Sequence, residues 1–378
     1  MIKITDKHNC CGCEACTQHC PKQCITMTFD DEGFLYPKAD ENLCINCGIC
    51  EKVCPVINLN NSRKPLNVYG TINPDENIRR KSSSGGIFTA IATRVIAEGG
   101  VVFGALFNDN WEVVHGCVER TEDLYKLRGS KYVQSRIGTV YQEVEVFLTL
   151  GRKVLFSGTS CQVAGLKKFL RKEYDNLLAV DVVCHGVPSP KIWKEYIRQF
   201  DKESVIEEIN FRDKTSGWVG YSFSIRFADG CNVTESHFSN LYMQGFLQNL
   251  YLRPSCHNCG FKEGKSGSDI TLGDLWGKKI IPTRFDDNLG VSVVLANTCR
   301  GKSIINELHL DLNDLDYSSV VNCNPCIVKA TPEPRWRSIF MKSYQNGNAV
   351  AVLQDIVKRV QPTLLDRLIR RIKRVLFS

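Results

Sequence analysis

The chain has 378 residues, 43% of them hydrophobic and 24% charged, the balance of a folded globular protein rather than a disordered one. It holds no run of about 18 apolar residues, and its start, MIKITDKHNC, lacks the basic–apolar–small order of a secretory leader. The expectation is therefore a cytoplasmic protein whose 19 cysteines are metal ligands or buried small hydrophobes rather than disulfide staples. The net charge of +7 sits almost wholly at the end of the chain, where Lys358, Arg359, Arg367, Arg370, Arg371, Lys373 and Arg374 meet Asp366 alone. A nearly neutral body argues against a nucleic-acid-binding face, which would carry its basic residues through the folded core.

The first sixty residues contain a repeat. Cys10-x2-Cys13-x2-Cys16-x3-Cys20-Pro21 returns as Cys44-x2-Cys47-x2-Cys50-x3-Cys54-Pro55. A register from Cys13 to Cys24 is also possible for the first half, but only the register from Cys10 is repeated. The spacing has a physical reason: a tight loop aims three thiolates at one iron–sulfur cubane, and the fourth, at the head of a helix, crosses to the other cluster. This assigns Cys10, Cys13, Cys16 and Cys54 to one [4Fe–4S] cluster, and Cys20, Cys44, Cys47 and Cys50 to a second. Cys11 and Cys24 fall outside the repeat, as packing residues or spares. Two structural zinc sites are the competing reading, disfavoured because zinc knuckles pair one C-x2-C with a distant second pair. Residues 1–60 resemble a bacterial two-cluster ferredoxin, with a hairpin in ITMTFDDEGFLYP that turns at Asp30–Gly33.

After a polar stretch, NLNNSRKP, read as a linker, short apolar runs alternate with helical patterns. SSSGG opens a helix over about 87–98, closed by Gly99–Gly100. VVFGALF and WEVVHGCVE make a hairpin around Asn108–Asn110. Helical patterns follow near 121–128 and 137–149, RKVLFSG reads as a strand, and CQVAGLKKFLRKEY as a helix. LLAVDVVC is a buried strand and PKIWKEYIRQF a helix, and YSFSIRF and CNVTES pair about an Asp229–Gly230 turn. The pattern is that of an α/β (or α+β) domain with a mixed sheet.

KSSSGGIFTAI and LFSGTSCQVAGL each place small residues before a helix, where free amides favour an anion or simply form an ordinary N-cap. Neither fits a dinucleotide or Walker pattern. Cys161 and Cys184 both follow predicted strands, whose ends gather on one sheet edge, and Cys256-x2-Cys259 lies in a Gly/Ser/Lys-rich stretch. Spacing alone allows these four to meet, and equally allows two buried cysteines beside a solitary zinc knuckle.

Taken in order, the ferredoxin-like repeat, SSSGG, GSKYVQS, FSGTSCQVAGL, DVVCHGVPS, CHNC and DITLGDLWG resemble the coenzyme F-420 hydrogenase/dehydrogenase beta-subunit family, iron–sulfur flavoproteins, over about 1–335. The resemblance implies three segments: a dicluster ferredoxin fold at 1–60, a mixed-sheet α/β domain for flavin and iron–sulfur at 61–357, and a basic amphipathic tail at 358–378. It implies FAD (or FMN), with Ser83, Ser84, Gly85 and Gly86 at the flavin phosphates and Lys131, Gly158, Thr159 and Ser160 beside the flavin. It makes Cys161, Cys184, Cys256 and Cys259 ligands of a third [4Fe–4S] cluster near the flavin. His185 is a candidate catalytic proton donor, or a hydrogen-bond donor behind the ligand Cys184. Trp218 and Tyr221, in FRDKTSGWVGYSF, are candidates for stacking on a substrate, against the alternative of a plain hairpin entry.

The function expected is an oxidoreductase fed by a soluble ferredoxin-like donor and acting on an unknown organic substrate. Bacterial relatives suggest surface-polysaccharide pathways. A non-catalytic electron-relay subunit and a zinc-bearing scaffold are the rivals. In LLDRLIRRIKRVLF the apolar residues recur at helical spacing with the basic ones largely off that stripe, and Pro362 marks a start. The expectation is a helix lying on an anionic membrane surface, at the inner face, or else packed on the body or a partner.

Overall fold

The computed structural model describes residues 1–200, 204–344 and 348–360. The tail helix expected from Pro362 onward lies outside the described residues. A first hairpin pairs β1 (Ile25–Phe29) with β2 (Leu35–Ala39), and its turn is closed by Gly33 donating to the Asp30 carbonyl. The body is built on β3 (Asn67–Thr71), β4 (Val101–Phe107), β5 (Val113–Val118), β6 (Val154–Thr159) and β7 (Leu177–Val182). A separate antiparallel sheet of β8 (Ile206–Asp213), β9 (Ser222–Phe227) and β10 (Asn232–Ser236) follows. The main sheet is then completed by β11 (Ile270–Asp274), β12 (Ser292–Ala296) and β13 (Leu312–Asp314), in the order β13–β3–β12–β11–β7–β6–β4–β5.

The interior strands are near-continuous apolar runs because helices cover both faces of the sheet. Successive side chains point to opposite sides. Val101, Phe103, Val154, Phe156, Leu177 and Ala179 therefore meet the helices Val140–Thr149 and Ser160–Leu170 on one face. Val102, Leu155, Leu178 and Val180 meet Ile87, Ile91 and Val95 of the helix Ile87–Ala97 on the other. Strands β4, β6, β7 and β11 run parallel, while β12 and β5 run against them. One edge thus collects Phe107, Thr159, Val182 and Asp274 with the starts of β5 and β12.

Several expectations are adjusted. The helix expected near 121–128 is a 3-10 stretch, Thr121–Lys126. The one expected from 137 begins only at Val140, because the Glu14 carboxylate takes the amides of Ile137 (2.9 Å) and Gly138 (3.1 Å), and Gly138 has φ +60°. The helix after β6 stops at Leu170, four residues before the expected Tyr174, where Arg171 turns left-handed. The stretch read as a linker is a docked strap: Asn60 donates to the Lys265 carbonyl (3.0 Å) and accepts from Lys168 (2.9 Å), and the Arg63 amide donates to the Glu263 carbonyl (2.9 Å).

The cysteine-rich segment does not stand apart. Cys11, Cys13, Ala15 and Val53 enter the same core as Tyr141, Val163 and Phe169. The hairpin tip is held by Arg337, which donates from both terminal nitrogens to the Glu32 carboxylate, the Nη1 bond being 3.2 Å. Gly165 lets the segment approach, since a Cβ there would lie 2.7 Å from the Tyr141 hydroxyl and 2.9 Å from Cys13 Cβ. Gly165→Val should cost about 1–3 kcal/mol by overpacking, read as a lower denaturation midpoint with an unchanged slope.

Candidate functional site

The sequence repeat is also a backbone repeat. In Cys10–Cys16 the left-handed residues are Gly12 (φ +67°) and Glu14 (φ +63°); in Cys44–Cys50 they are Asn46 (φ +53°) and Gly48 (φ +71°). The two loops place αL residues at matching positions, which curls each backbone around its three thiols. Short helices, Ala15–Gln18 and Ile49–Lys52, carry the third cysteine of each loop, and Cys20 and Cys54 come after them rather than at a helix head. Non-glycine αL residues cost energy, so this matched pair is a feature that the fold maintains twice.

Cys20, Cys44, Cys47 and Cys50 line one small hollow, which joins the fourth thiol of the first repeat to the three of the second. Cys24 lines the same hollow, with its Sγ 3.4 Å from that of Cys20. Cys10, Cys16 and Cys54 form the complementary group, near Cys13. Burial pushes the Cys16 thiol up to about 12, and the neighbouring Cys10 and Cys54 add to it. Such thiols stay protonated on their own, and a cation among them reverses that preference and takes them as thiolates.

The third group is drawn from four separate segments. Cys161 lies in the first turn of the helix Ser160–Leu170, whose start is fixed by the reciprocal Thr159–Gln162 capping box. Cys184 follows β7, Cys256 lies in the short helix Pro254–His257, and Cys259 lies just beyond it. Burial pushes the Cys184 thiol up, opposed by Lys262 and reinforced by Cys256, Cys161 and Cys259. Cys256 is pushed up to about 12 by burial, although Val187 N–H donates to its Sγ at 3.4 Å. Among the described residues no three donors already stand at the spacing of a single bound metal ion. What the chain supplies is three converging sets of four thiols, the donor chemistry of [4Fe–4S] clusters. Cys11 lies where two of these sets meet: it shares one core with Cys13, and Cys161 packs against that core.

The remaining candidates lie along the same sheet edge. Ser83 Oγ accepts from Ser130 N–H (2.7 Å), Ser84 Oγ donates to the Val291 carbonyl (2.9 Å), and Gly85 N–H donates to Ser292 Oγ (3.0 Å). Gly86, with φ +85°, heads the helix Ile87–Ala97 without a side-chain cap. The loop is held by Lys214, whose amine donates to the carbonyls of Arg79 (2.6 Å), Ser84 (2.9 Å) and Leu289 (2.6 Å). Lys131 donates to the carbonyls of Arg128 (3.1 Å) and Gly129 (3.3 Å), and burial pushes its amine down to about 7. Gly158 and Thr159 end β6, and Thr159 Oγ1 lies 3.2 Å from Cys161 Sγ.

His185 has a partner on each ring nitrogen, Asn249 Oδ1 at 2.6 Å and Cys326 Sγ at 3.9 Å. Trp218 and Tyr221 are both buried and already engaged: Trp218 stacks on Trp276 at 4.6 Å, and Tyr221 stacks on His237 at 4.1 Å beneath the Arg212 guanidinium. Both rings are thus buried against protein, which favours the hairpin alternative over stacking on a substrate. Sequence reading passes over His115, whose Nε2–H donates to the Ser157 carbonyl (3.1 Å), whose Nδ1 accepts from the Ser135 hydroxyl (2.8 Å), and which burial pushes down to about 4. It also passes over the Arg212–Asp274 pair (3.1 Å) and Cys326. The one signal for His115 is a histidine inside an otherwise apolar strand.

Residues 68–141 match the family model "Coenzyme F420 hydrogenase/dehydrogenase, beta subunit N-term", and residues 151–315 match its C-terminus model. Residues 9–58 match a 4Fe-4S dicluster domain. The coenzyme F420-dependent sulfite reductase of Methanocaldococcus jannaschii is 29% identical over 206 residues, 52% of this chain and 31% of the relative. An F(420)H(2) dehydrogenase subunit of Methanosarcina mazei is 25% identical over 214 residues, 52% of this chain and 61% of the relative. The chain thus spans less than two thirds of either relative. A chain of the F420-reducing [NiFe] hydrogenase complex from Methanosarcina barkeri superposes with a TM-score of 0.46 at 18% identity, covering 78% of this chain and 92% of that one. With both halves of the family model matched in order behind a dicluster domain, the chain belongs to the coenzyme F420 hydrogenase/dehydrogenase beta-subunit family.

Proposed function

We propose that the chain is an iron–sulfur oxidoreductase in which single electrons enter at the ferredoxin-like segment, cross to a third cluster in the body, and leave in pairs through a flavin to an organic acceptor. The observation that carries this reading is the packing of Cys11, Cys13 and Cys161 in one core, which joins the ferredoxin-like ligand set to the body's own set. Thr159 continues that line from Cys161 to the end of β6.

A flavin, FAD or FMN, when bound supplies the conversion between one-electron and two-electron transfer. The residues for its phosphate are the uncapped first turn behind Gly86 and the amine of Lys131. Ser83, Ser84 and Gly85 shape that turn from behind, since their polar groups are spent on Ser130, Val291 and Ser292. His185, held by Asn249, sits one residue from Cys184 and orients that ligand's loop. The relay-subunit reading is favoured by one relative's being named a dehydrogenase subunit. Turnover of an organic acceptor by the isolated chain with a chemical reductant separates the two.

Anaerobically purified chain should carry flavin and about twelve irons, three cubanes of four. Cys259→Ser should lose about four irons and slow flavin reduction by orders of magnitude. A count near eight in the parent chain removes the third cluster, and zinc in place of iron removes the whole reading. Because the Lys131 amine is pushed down to about 7, it is charged mainly below that pH. Flavin should therefore bind more tightly at pH 6 than at pH 8 in fluorescence titrations of flavin-free chain, and Lys131→Met should flatten the difference.

A further inference from the structure

Arg253 is among the largest fully buried side chains, at 0% exposure. Its guanidinium crosses from the body to the cysteine-rich segment. Nε donates to the Cys10 carbonyl (2.8 Å), Nη1 to Gln134 Oε1 (3.0 Å), and Nη2 to the Leu35 carbonyl (2.9 Å) and the Cys10 Sγ (3.7 Å). The Tyr36 ring lies beneath it, 4.3 Å from centroid to Cζ. Among the described residues no carboxylate forms an ion pair with it.

The buried Glu14 carboxylate is near enough to act on it but is spent on the amides of Ile137 and Gly138. A buried cation without a paired counter-ion costs several kcal/mol, so the position suits a further negative partner. Burial works against its charge, while Cys10, Tyr36, Cys11 and Cys256 work for it. Cys10 belongs to one thiol set, and Cys256 is three residues along from Arg253 itself, with its amide donating to the Arg253 carbonyl at 2.9 Å. Gly12 makes room, since a Cβ there would lie 2.8 Å from Nη1.

We infer that Arg253 is a positioning and potential-setting residue shared by two clusters, the one held by Cys10, Cys13, Cys16 and Cys54 and the one held by Cys161, Cys184, Cys256 and Cys259. The inference rests on the proposed electron path. Each one-electron reduction adds one negative charge to a cluster, and no atom moves. A fixed guanidinium at that place stabilises the reduced form of both and raises both potentials together. Its hydrogen bond to a cluster thiolate acts in the same sense. The remaining cluster, held by Cys20, Cys44, Cys47 and Cys50, has no contact with Arg253.

The test is an EPR-monitored redox titration of the fully iron-loaded chain. Arg253→Met should lower the reduction equilibrium constants of the two adjacent clusters at least tenfold, about 59 mV for a one-electron couple, and leave the Cys20/Cys44/Cys47/Cys50 cluster in place. Arg253→Lys should recover most of the shift. Gln134→Glu keeps the guanidinium but neutralises it from 3.0 Å, and should reproduce the direction of the Met shift even if Arg253→Met does not hold its iron. Unmoved potentials in Gln134→Glu, or in iron-replete Arg253→Met, overturn the inference. A parent chain with only about eight irons instead overturns the electron path on which it rests.

Discussion

The structure depends on how one loop, Cys10–Glu14, is seated against the main sheet. Three anchors do this from the body: Arg253 and Gln134 on the loop's carbonyls, and the amides of Ile137 and Gly138 on the Glu14 carboxylate. Leaving two such amides unmet would cost roughly 1–3 kcal/mol each, comparable to a sizeable part of a domain's net stability. The same bonds delay the start of the helix Val140–Thr149 and fix the left-handed turns that point Cys11 and Cys13 inward. Position and chemistry are thereby coupled, because the loop that orders the interface also bears the thiols.

The electrostatic side follows from burial. Cys16, Cys184 and Cys256 are held in surroundings where a lone thiolate is disfavoured, and their neighbours are other thiols. Such groups repel one another once ionised, so a bound metal cluster is the partner that makes the arrangement favourable. The cations nearby are few and are placed with purpose: Lys262 donates to the Cys184 carbonyl (2.6 Å), and Arg253 reaches Cys10. The edge proposed for a phosphate carries two depressed amines, Lys131 and Lys214, both about 7.

Local features were legible in the sequence. The doubled cysteine spacing, the Asp30–Gly33 turn, the helix behind SSSGG, and the β4–β5 and β9–β10 hairpins each depend on residues close in the chain. So did the gathering of Cys161 and Cys184, since two parallel strands fix which edge their ends share. Strand β8 is not legible, because IEEINFRD carries glutamates on its exposed positions and its pairing slips twice. Trp218 and Tyr221 read as free aromatics until Trp276 and His237, distant in sequence, are seen to cover them. Arg253 lies in LYLRPSC with no local sign of its role; all its partners except Cys256 come from other segments.

On the proposed path the ferredoxin-like clusters and the body cluster are continuous rather than separate stores. Low-temperature EPR of the fully reduced, iron-replete chain addresses it directly, with Cys259→Ser as the reference. The parent spectrum should be broadened by spin coupling between the body cluster and the one held by Cys10, Cys13, Cys16 and Cys54. A parent spectrum equal to the sum of the Cys259→Ser spectrum and an isolated, unbroadened [4Fe–4S] signal would contradict it.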